Sequence, residues 1–170
     1  MNLARATDSD LIEIVPLMNR AYRGSTGWAS EGGYLTGHRI RLDDLRAELA
    51  AKSDMQLLVW RKDGCLLGCV SLEPQGEAWF LGMLTVEPDI QDQQLGRRLL
   101  AAAEDRVREA GGARIRMTVI WLRDALIAWY GRRGYQPTGE TKPFPYEAGD
   151  RWGTPTRDDL HFVVLEKALA

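Results

Sequence analysis

The stretch WFLGMLTV (79–86), EPDIQDQQLGRR (87–98), LLAAAEDRVREAGG (99–112) decides the fold. Its first piece is a near-continuous apolar run of strand length, the pattern of a strand covered on both faces. Its last piece predicts a helix. Leu95, Leu99, Ala102, Ala103, Arg106 and Ala110 recur at three- and four-residue steps, with Glu104, Asp105, Arg108 and Glu109 around the rest of the circumference. Gly111-Gly112 ends the helix. A short polar loop closed by Gly96 joins the two. A strand entering a helix through such a loop aims free backbone N–H groups and the positive end of the helix dipole at one point, which suits a phosphate or pyrophosphate. Arg97 and Arg98 open the helix, where cations oppose its dipole. An anionic ligand between them would account for their presence.

Outward from this stretch, 170 residues at 45% hydrophobic suffice for one domain, 1–170, with its own core. A formal net charge of -2 gives no basic field, so no nucleic-acid partner is expected. No apolar run reaches the roughly 18 residues of a membrane span, and MNLARATDSD has no signal-peptide apolar region. No membrane partner is expected either. Cys65 and Cys69 lie four apart on one predicted strand, about 13 Å between Cα atoms, too far to bridge. They suit a reduced, cytoplasmic protein. With only His38 and His161 to join them, no metal site is expected.

In chain order, Asn2 to Ala6 suits a short edge strand. Thr7 and Asp8 offer caps for a helix from Ser9 to Arg23, which Pro16 is expected to kink. Gly24 to Ile40 is a glycine-bearing loop with Trp28, Tyr34 and His38, long enough to suggest binding. Leu42 to Ala51 is a second helix. Met55 to Arg61 and Cys65 to Glu73 are strands joined by the hairpin signal Lys62-Asp63-Gly64. Pro74-Gln75-Gly76 turns the chain into the central strand. Arg114 to Val119 alternates, with Ile115, Met117 and Val119 on one face. Arg123 to Arg133 is a helix stopped by Gly134. Tyr135 to Thr141 and Leu160 to Lys167 are strands around a second long loop, Lys142 to Asp159. This order is that of an α/β (α+β) domain with one mixed sheet.

The same order, the loop before Gly96 and the segment ALIAWYGRRGY together resemble the GNAT superfamily of N-acetyltransferases, over essentially the whole chain. The family's acyl-CoA loop is an Arg or Gln, two free positions, a Gly, a free position, then Gly or Ala. Here Gln91 and Gly96 fit; Gln94 stands where Gly is usual and Asp92 where Gly is common. The second motif, a helix ending in Tyr, polar residues, Gly and an aromatic, fits Tyr130-Gly131-Arg132-Arg133-Gly134-Tyr135. Arg123 occupies a position where Asn is frequent. Glycine allows close approach of backbone to phosphate, so Gln94 would crowd a pyrophosphate and Asp92 would repel it. Arg97 and Arg98 would compensate.

The resemblance implies a mixed, mostly antiparallel sheet of about seven strands with about four helices, splayed between the fourth and fifth strands. It implies acetyl-CoA as acyl donor. Its pantetheine arm would pair with Met83, Leu84, Thr85 and Val86, and its diphosphate would lie on Gln91, Asp92, Gln93, Gln94, Leu95, Gly96, Arg97 and Arg98. An N–H near Met83 or Leu84 would hold the oxyanion, and Tyr130 matches the tyrosine that protonates the leaving thiolate. Base candidates are Glu73 at a strand end, His161 and Glu31, or water alone. Trp28, Glu31, Tyr34, Phe144, Tyr146 and Trp152 on the two long loops are candidate acceptor-binding residues, and Arg39, Arg151 and Arg157 candidate carboxylate ligands. The expected activity is direct transfer of an acetyl group to a primary amine of a small molecule or peptide. The alternative is a degenerate acyl-CoA-binding sensor or scaffold without turnover. A homodimer is common in the family.

Overall fold

The computed structural model describes residues 1–24, 33–90 and 94–169. The elements are β1 (Ala4–Arg5), α1 (Asp8–Arg23), β2 (Leu35–Thr36), α2 (Leu42–Ala51), β3 (Gln56–Lys62), β4 (Cys65–Gln75), β5 (Ala78–Val86), α3 (Leu95–Glu109), β6 (Arg114–Ile120), α4 (Asp124–Gly131), β7 (Gln136–Pro143), β8 (Thr154–Pro155) and β9 (His161–Ala168). Seven strands form one sheet in the order β1-β3-β4-β5-β6-β9-β7. Only β5 and β6 pair in parallel; the other neighbours are antiparallel. A parallel pair needs a crossover, which α3 supplies.

Local chemistry accounts for most boundaries. Asp10 closes the start of α1 by accepting from the Thr7 backbone N–H at 2.7 Å and the Thr7 hydroxyl at 3.0 Å. The helix then runs through Pro16 without interruption. Asp63 and Gly64, at φ 52° and 79°, make the tight turn of the β3–β4 hairpin. The next turn lies later than Pro74-Gln75-Gly76 suggested: β4 continues to Gln75, with Pro74 opposite Trp79. The β3 register ends at Leu72, so the missing N–H of Pro74 breaks no bond there.

The sheet is covered on both faces. Leu11, Ile14 and Met18 of α1 and Leu45 of α2 pack on Leu57, Val59 and Cys69. On the opposite face Leu95, Leu99, Leu100, Ala103 and Val107 of α3 and Leu126 and Tyr130 of α4 pack on Leu58, Trp60, Leu81 and Met117. Neighbours in β3 thus alternate between two clusters, which is why its apolar run is continuous.

One face assignment changes. Ala102, Arg106 and Ala110 do not belong to the buried stripe of α3, and Glu104 does. Steps of 3.6 residues carry the stripe from Leu95 through Leu99, Leu100 and Ala103 to Val107, with Glu104 beside it. That carboxylate is satisfied by Lys167 Nζ, 2.9 Å from both oxygens, and by the Tyr135 hydroxyl at 3.0 Å. A buried charge persists where partners of this kind replace its water.

The two long loops meet in a small sheet that no periodicity announced. Leu35 pairs with Pro155 and Thr36 with Thr154. At Gly153, φ is 106°, and a Cβ would sit 2.6 Å from Arg23 Nη2 and 3.0 Å from the Thr36 carbonyl oxygen. Glycine is therefore what lets the second loop lie on the first and on α1.

Candidate active site

The site begins with one extra residue in β5. Across the β4–β5 ladder Ser71 faces Gly82 and Cys69 faces Thr85, so two steps on β4 span three on β5. Met83 takes up the excess at φ 53°. This is a bulge, and it flips the alternation. Leu81 and Leu84 both face the α3 side, while Met83 joins the α1 side. Met83 and Leu84 have no partner in the β4 register. They have none in the β6 register either, where the pairing consists of Trp79 with Ile115 and Phe80 with Arg116. The Met83 carbonyl oxygen accepts from the Thr85 hydroxyl at 2.9 Å, and the Leu84 carbonyl oxygen from the Tyr22 hydroxyl at 3.2 Å.

Beyond the last β5–β6 pair lies a cavity of about 460 Å³, within the range of small-molecule sites. Leu81 to Leu84 form one wall and Met117 to Ile120 the other, with Arg123, Leu126 and Tyr130 from the α4 region. Tyr130 is 5% exposed, edge-on to Trp129 and Tyr135. Its hydroxyl has no hydrogen-bond partner among the described residues. Burial drives its pKa well above the usual phenol value, Tyr22 adds to this, and Arg123 opposes it. The phenol therefore stays protonated at every ordinary pH, as a hydrogen-bond donor must.

Glu73, Phe144 and Trp152 line the same cavity. Glu73 lies 3.6 Å from Lys52 Nζ and accepts from Gln75 Nε2 at 3.1 Å. Tyr34 and Tyr146 do not line it. Tyr34 packs with Leu35, Phe144 and Leu160. Tyr146 braces its loop, donating to the Arg157 carbonyl oxygen and accepting from the Leu160 N–H, both at 2.9 Å. Trp28 and Glu31 lie outside the described residues. Of the three candidate carboxylate ligands, Arg157 is held by both oxygens of Asp159 at 2.7 Å. Arg151 lies over Trp152 and 3.7 Å from Asp44. Arg39 lines the cavity, over the rings of Tyr22 and Trp152. His161 stacks on Trp121 and is not part of the lining.

At the start of α3, Gln94 is exposed and Leu95 and Gly96 are buried. Gln91, Asp92 and Gln93 lie outside the described residues. Arg97 and Arg98 diverge. Arg98 lies 5.4 Å from the Trp60 ring centre, while Arg97 lines a groove with Arg132 and Arg133. Thr85 and Val86 are buried and do not line the Tyr130 cavity.

Sequence reasoning named Arg39 as a candidate and missed Tyr22 and Glu48 as its companions in one site. Tyr22 looked like part of a helix stripe, and its reach to Leu84 spans 62 residues. Arg39 is placed by Asn19, whose side-chain oxygen accepts from the Arg39 N–H at 2.5 Å and the Ile40 N–H at 3.2 Å. Glu48 shares Lys52 with Glu73, at 3.3 Å, and its second oxygen is buried without a partner. Only the apposition of α2 with β4 brings the two carboxylates together.

The fold and site are those of an α/β domain with a cavity between a bulged strand and a barely paired parallel neighbour, beside a buried phenol. The sequence matches the profile of the acetyltransferase (GNAT) family over residues 18–135. The chain belongs to that family. It is 29% identical over 102 residues to an IAA acetyltransferase of Azospirillum brasilense, covering 59% of this chain and 67% of that one. Its structure is similar to a ribosomal-protein-alanine N-acetyltransferase from Brucella melitensis, with TM-score 0.70 at 18% identity over 99% of both chains. It is also similar to yncA from Salmonella typhimurium, solved with its cofactor acetyl-CoA, with TM-score 0.67 at 19% identity over 100% of this chain and 94% of the other. Likenesses at these identities speak to the fold.

Proposed function

We propose that this chain transfers the acetyl group of acetyl-CoA to a primary amine of a small molecule or peptide, by direct attack with both substrates bound. The observation that carries this reading is the bulge at Met83. It leaves two successive residues of β5 outside both ladders, in the cavity that also holds Tyr130. Unpaired strand backbone suits a pantetheine arm, whose amides add to it like a further strand. The Met83 or Leu84 N–H then donates to the carbonyl oxygen as it becomes an oxyanion. The neutral amine forms the new C–N bond, the C–S bond breaks, and the Tyr130 hydroxyl donates toward the departing sulfur. The proton that the amine must lose passes to Glu73, directly or through water. No covalent enzyme intermediate is needed, in keeping with Cys69 buried and raised to about 12 by burial.

The diphosphate of the donor would lie on the N–H groups leading into α3, residues 91 to 96, with Arg97 and Arg98 on either flank. The acceptor would enter from the side of Phe144 and Trp152. Arg39 suits a carboxylate on it, and Glu48 and Glu73 suit its ammonium before deprotonation.

Thermal unfolding with millimolar acetyl-CoA, followed by thiol release against a panel of amines, tests this. Expected are a higher melting temperature and amine-dependent thiol release. A higher melting temperature without release by any amine favours a sensor without turnover. No shift with acetyl-CoA removes the acyl-donor reading.

A further inference from the structure

Arg39 enters the cavity from the first long loop with its charge unmet. Its backbone is clamped to α1. The Asn19 side-chain oxygen accepts from the Arg39 N–H at 2.5 Å and the Ile40 N–H at 3.2 Å, and Asn19 Nδ2 donates to the Ile40 carbonyl oxygen at 3.1 Å. Its guanidinium lies 5.0 Å from the Tyr22 ring centre and 5.9 Å from that of Trp152. Arg41, Arg151 and Arg157, from the same two loops and their ends, each meet an acid. Arg39 is half-buried and meets none among the described residues. A planar fork of unused N–H donors, held at its base and along its face, is built for a carboxylate. Little side-chain freedom remains to be lost when one binds.

The wall formed by α2 and β4 has the opposite character. Glu48 Oε1 lies 3.3 Å and Glu73 Oε2 3.6 Å from the single ammonium of Lys52. Glu48 Oε2 is buried without a partner. One positive charge shared by two negative ones leaves this wall acidic. Leu35, Ile120, Phe144 and Phe162 add apolar lining, with the two phenyl rings stacked 6.0 Å apart.

We infer that the acceptor is a free amino acid with an apolar side chain, its carboxylate held by Arg39. This rests on the acetyl-transfer reading above and narrows its acceptor to one class. The carboxylate takes the Arg39 fork, the ammonium is drawn to Glu48 and Glu73, and the side chain lies against Phe144 and Phe162. A simple amine leaves the guanidinium without a partner. A peptide N-terminus brings an amide where the carboxylate belongs. Both forfeit charge-assisted hydrogen bonds. Amine reactivity works the other way: a free amino acid's own carboxylate stabilises its ammonium and makes the neutral amine scarcer than in the amide. A preference for the acid over its amide is therefore a binding effect.

The test is initial-rate thiol release from saturating acetyl-CoA with L-phenylalanine and L-leucine, and with the amide and the decarboxylated amine of each. Wild type and Arg39→Gln are compared, and the rise in melting temperature with acetyl-CoA reports that the variant is folded and binds the donor. The expected result is a wild-type kcat/KM about 10–100-fold higher for the amino acid than for its amide or amine, expressed mainly in KM. In Arg39→Gln that ratio falls to about one. Arg39→Lys, which keeps the charge and loses the fork, falls between the two. Wild-type use of the amide or amine as good as that of the acid overturns the assignment and leaves acetyl transfer standing. So does a preference that survives in Arg39→Gln, or thiol release only with amines outside this set. No thiol release with any amine overturns acetyl transfer and this inference together.

Discussion

At the scale of single residues, Tyr130 is where burial and chemistry meet. Its ring is held by Trp129 and Tyr135, while its hydroxyl has no partner among the described residues. Tyr130→Phe therefore keeps the packing and removes the hydroxyl proposed as proton donor. The expected outcome is a fall in kcat of about 10²-fold, with a melting temperature within a few degrees of wild type. Unchanged turnover across the pH range would remove Tyr130 as the acid. The motif around this residue was legible because helix, tyrosine and glycine are contiguous. Glu48 was not, because its neighbours in the cavity come from other elements. Glu104 was misplaced for a different reason: the buried face of α3 is centred near Ala103, about half a quadrant or more round the helix from the face read from the sequence.

At the scale of elements, the strands and helices followed from periodicity, and the exceptions are informative. Nothing in LGML marks Met83 as the residue of a bulge, since it is an ordinary apolar residue in an apolar strand. The β2–β8 pair was illegible because two residues carry no period. Yet that pair and Gly153 seat Trp152, whose carbonyl oxygen accepts from Arg23 Nη2 at 2.6 Å. Gly153→Ala places a methyl against the Thr36 and His38 carbonyl oxygens at a φ that alanine resists. The expected effect is a loss of about 1–3 kcal/mol in urea unfolding. If the loop carries the acceptor, KM for the amine rises more than KM for acetyl-CoA. Equal changes in both would separate the loop from acceptor binding.

At the scale of the whole molecule, three buried acids set the alkaline limit. Burial raises Cys69 from 9.0 to about 12. It also raises Tyr130, and Tyr135 with the help of Glu104. In each case the folded chain holds a proton that the unfolded chain gives up sooner. Their contribution to stability is therefore complete below about pH 9. It declines as pH rises, first by about 1.4 kcal/mol per unit from the thiol and then more steeply above about pH 10 as the phenols join. Urea unfolding at pH 8, 9, 10 and 11 checks this. Cys69→Ala should flatten the decline between pH 9 and 10, relative to its own value at pH 8. None of the described helices is long and apolar enough to cross a membrane.

The junction of β5 with β6 bears on mechanics as well as on binding. Two antiparallel blocks, one of four strands and one of three, are stitched by the pairs at Trp79 and Phe80. A seam so short concentrates the sheet's compliance along a single line, like a page scored before folding. An extended guest in the gap would suture the blocks. Deuterium uptake at Leu81–Leu84 and Met117–Ile120 should then slow on adding coenzyme A, while uptake along the β3–β4 hairpin stays as it was.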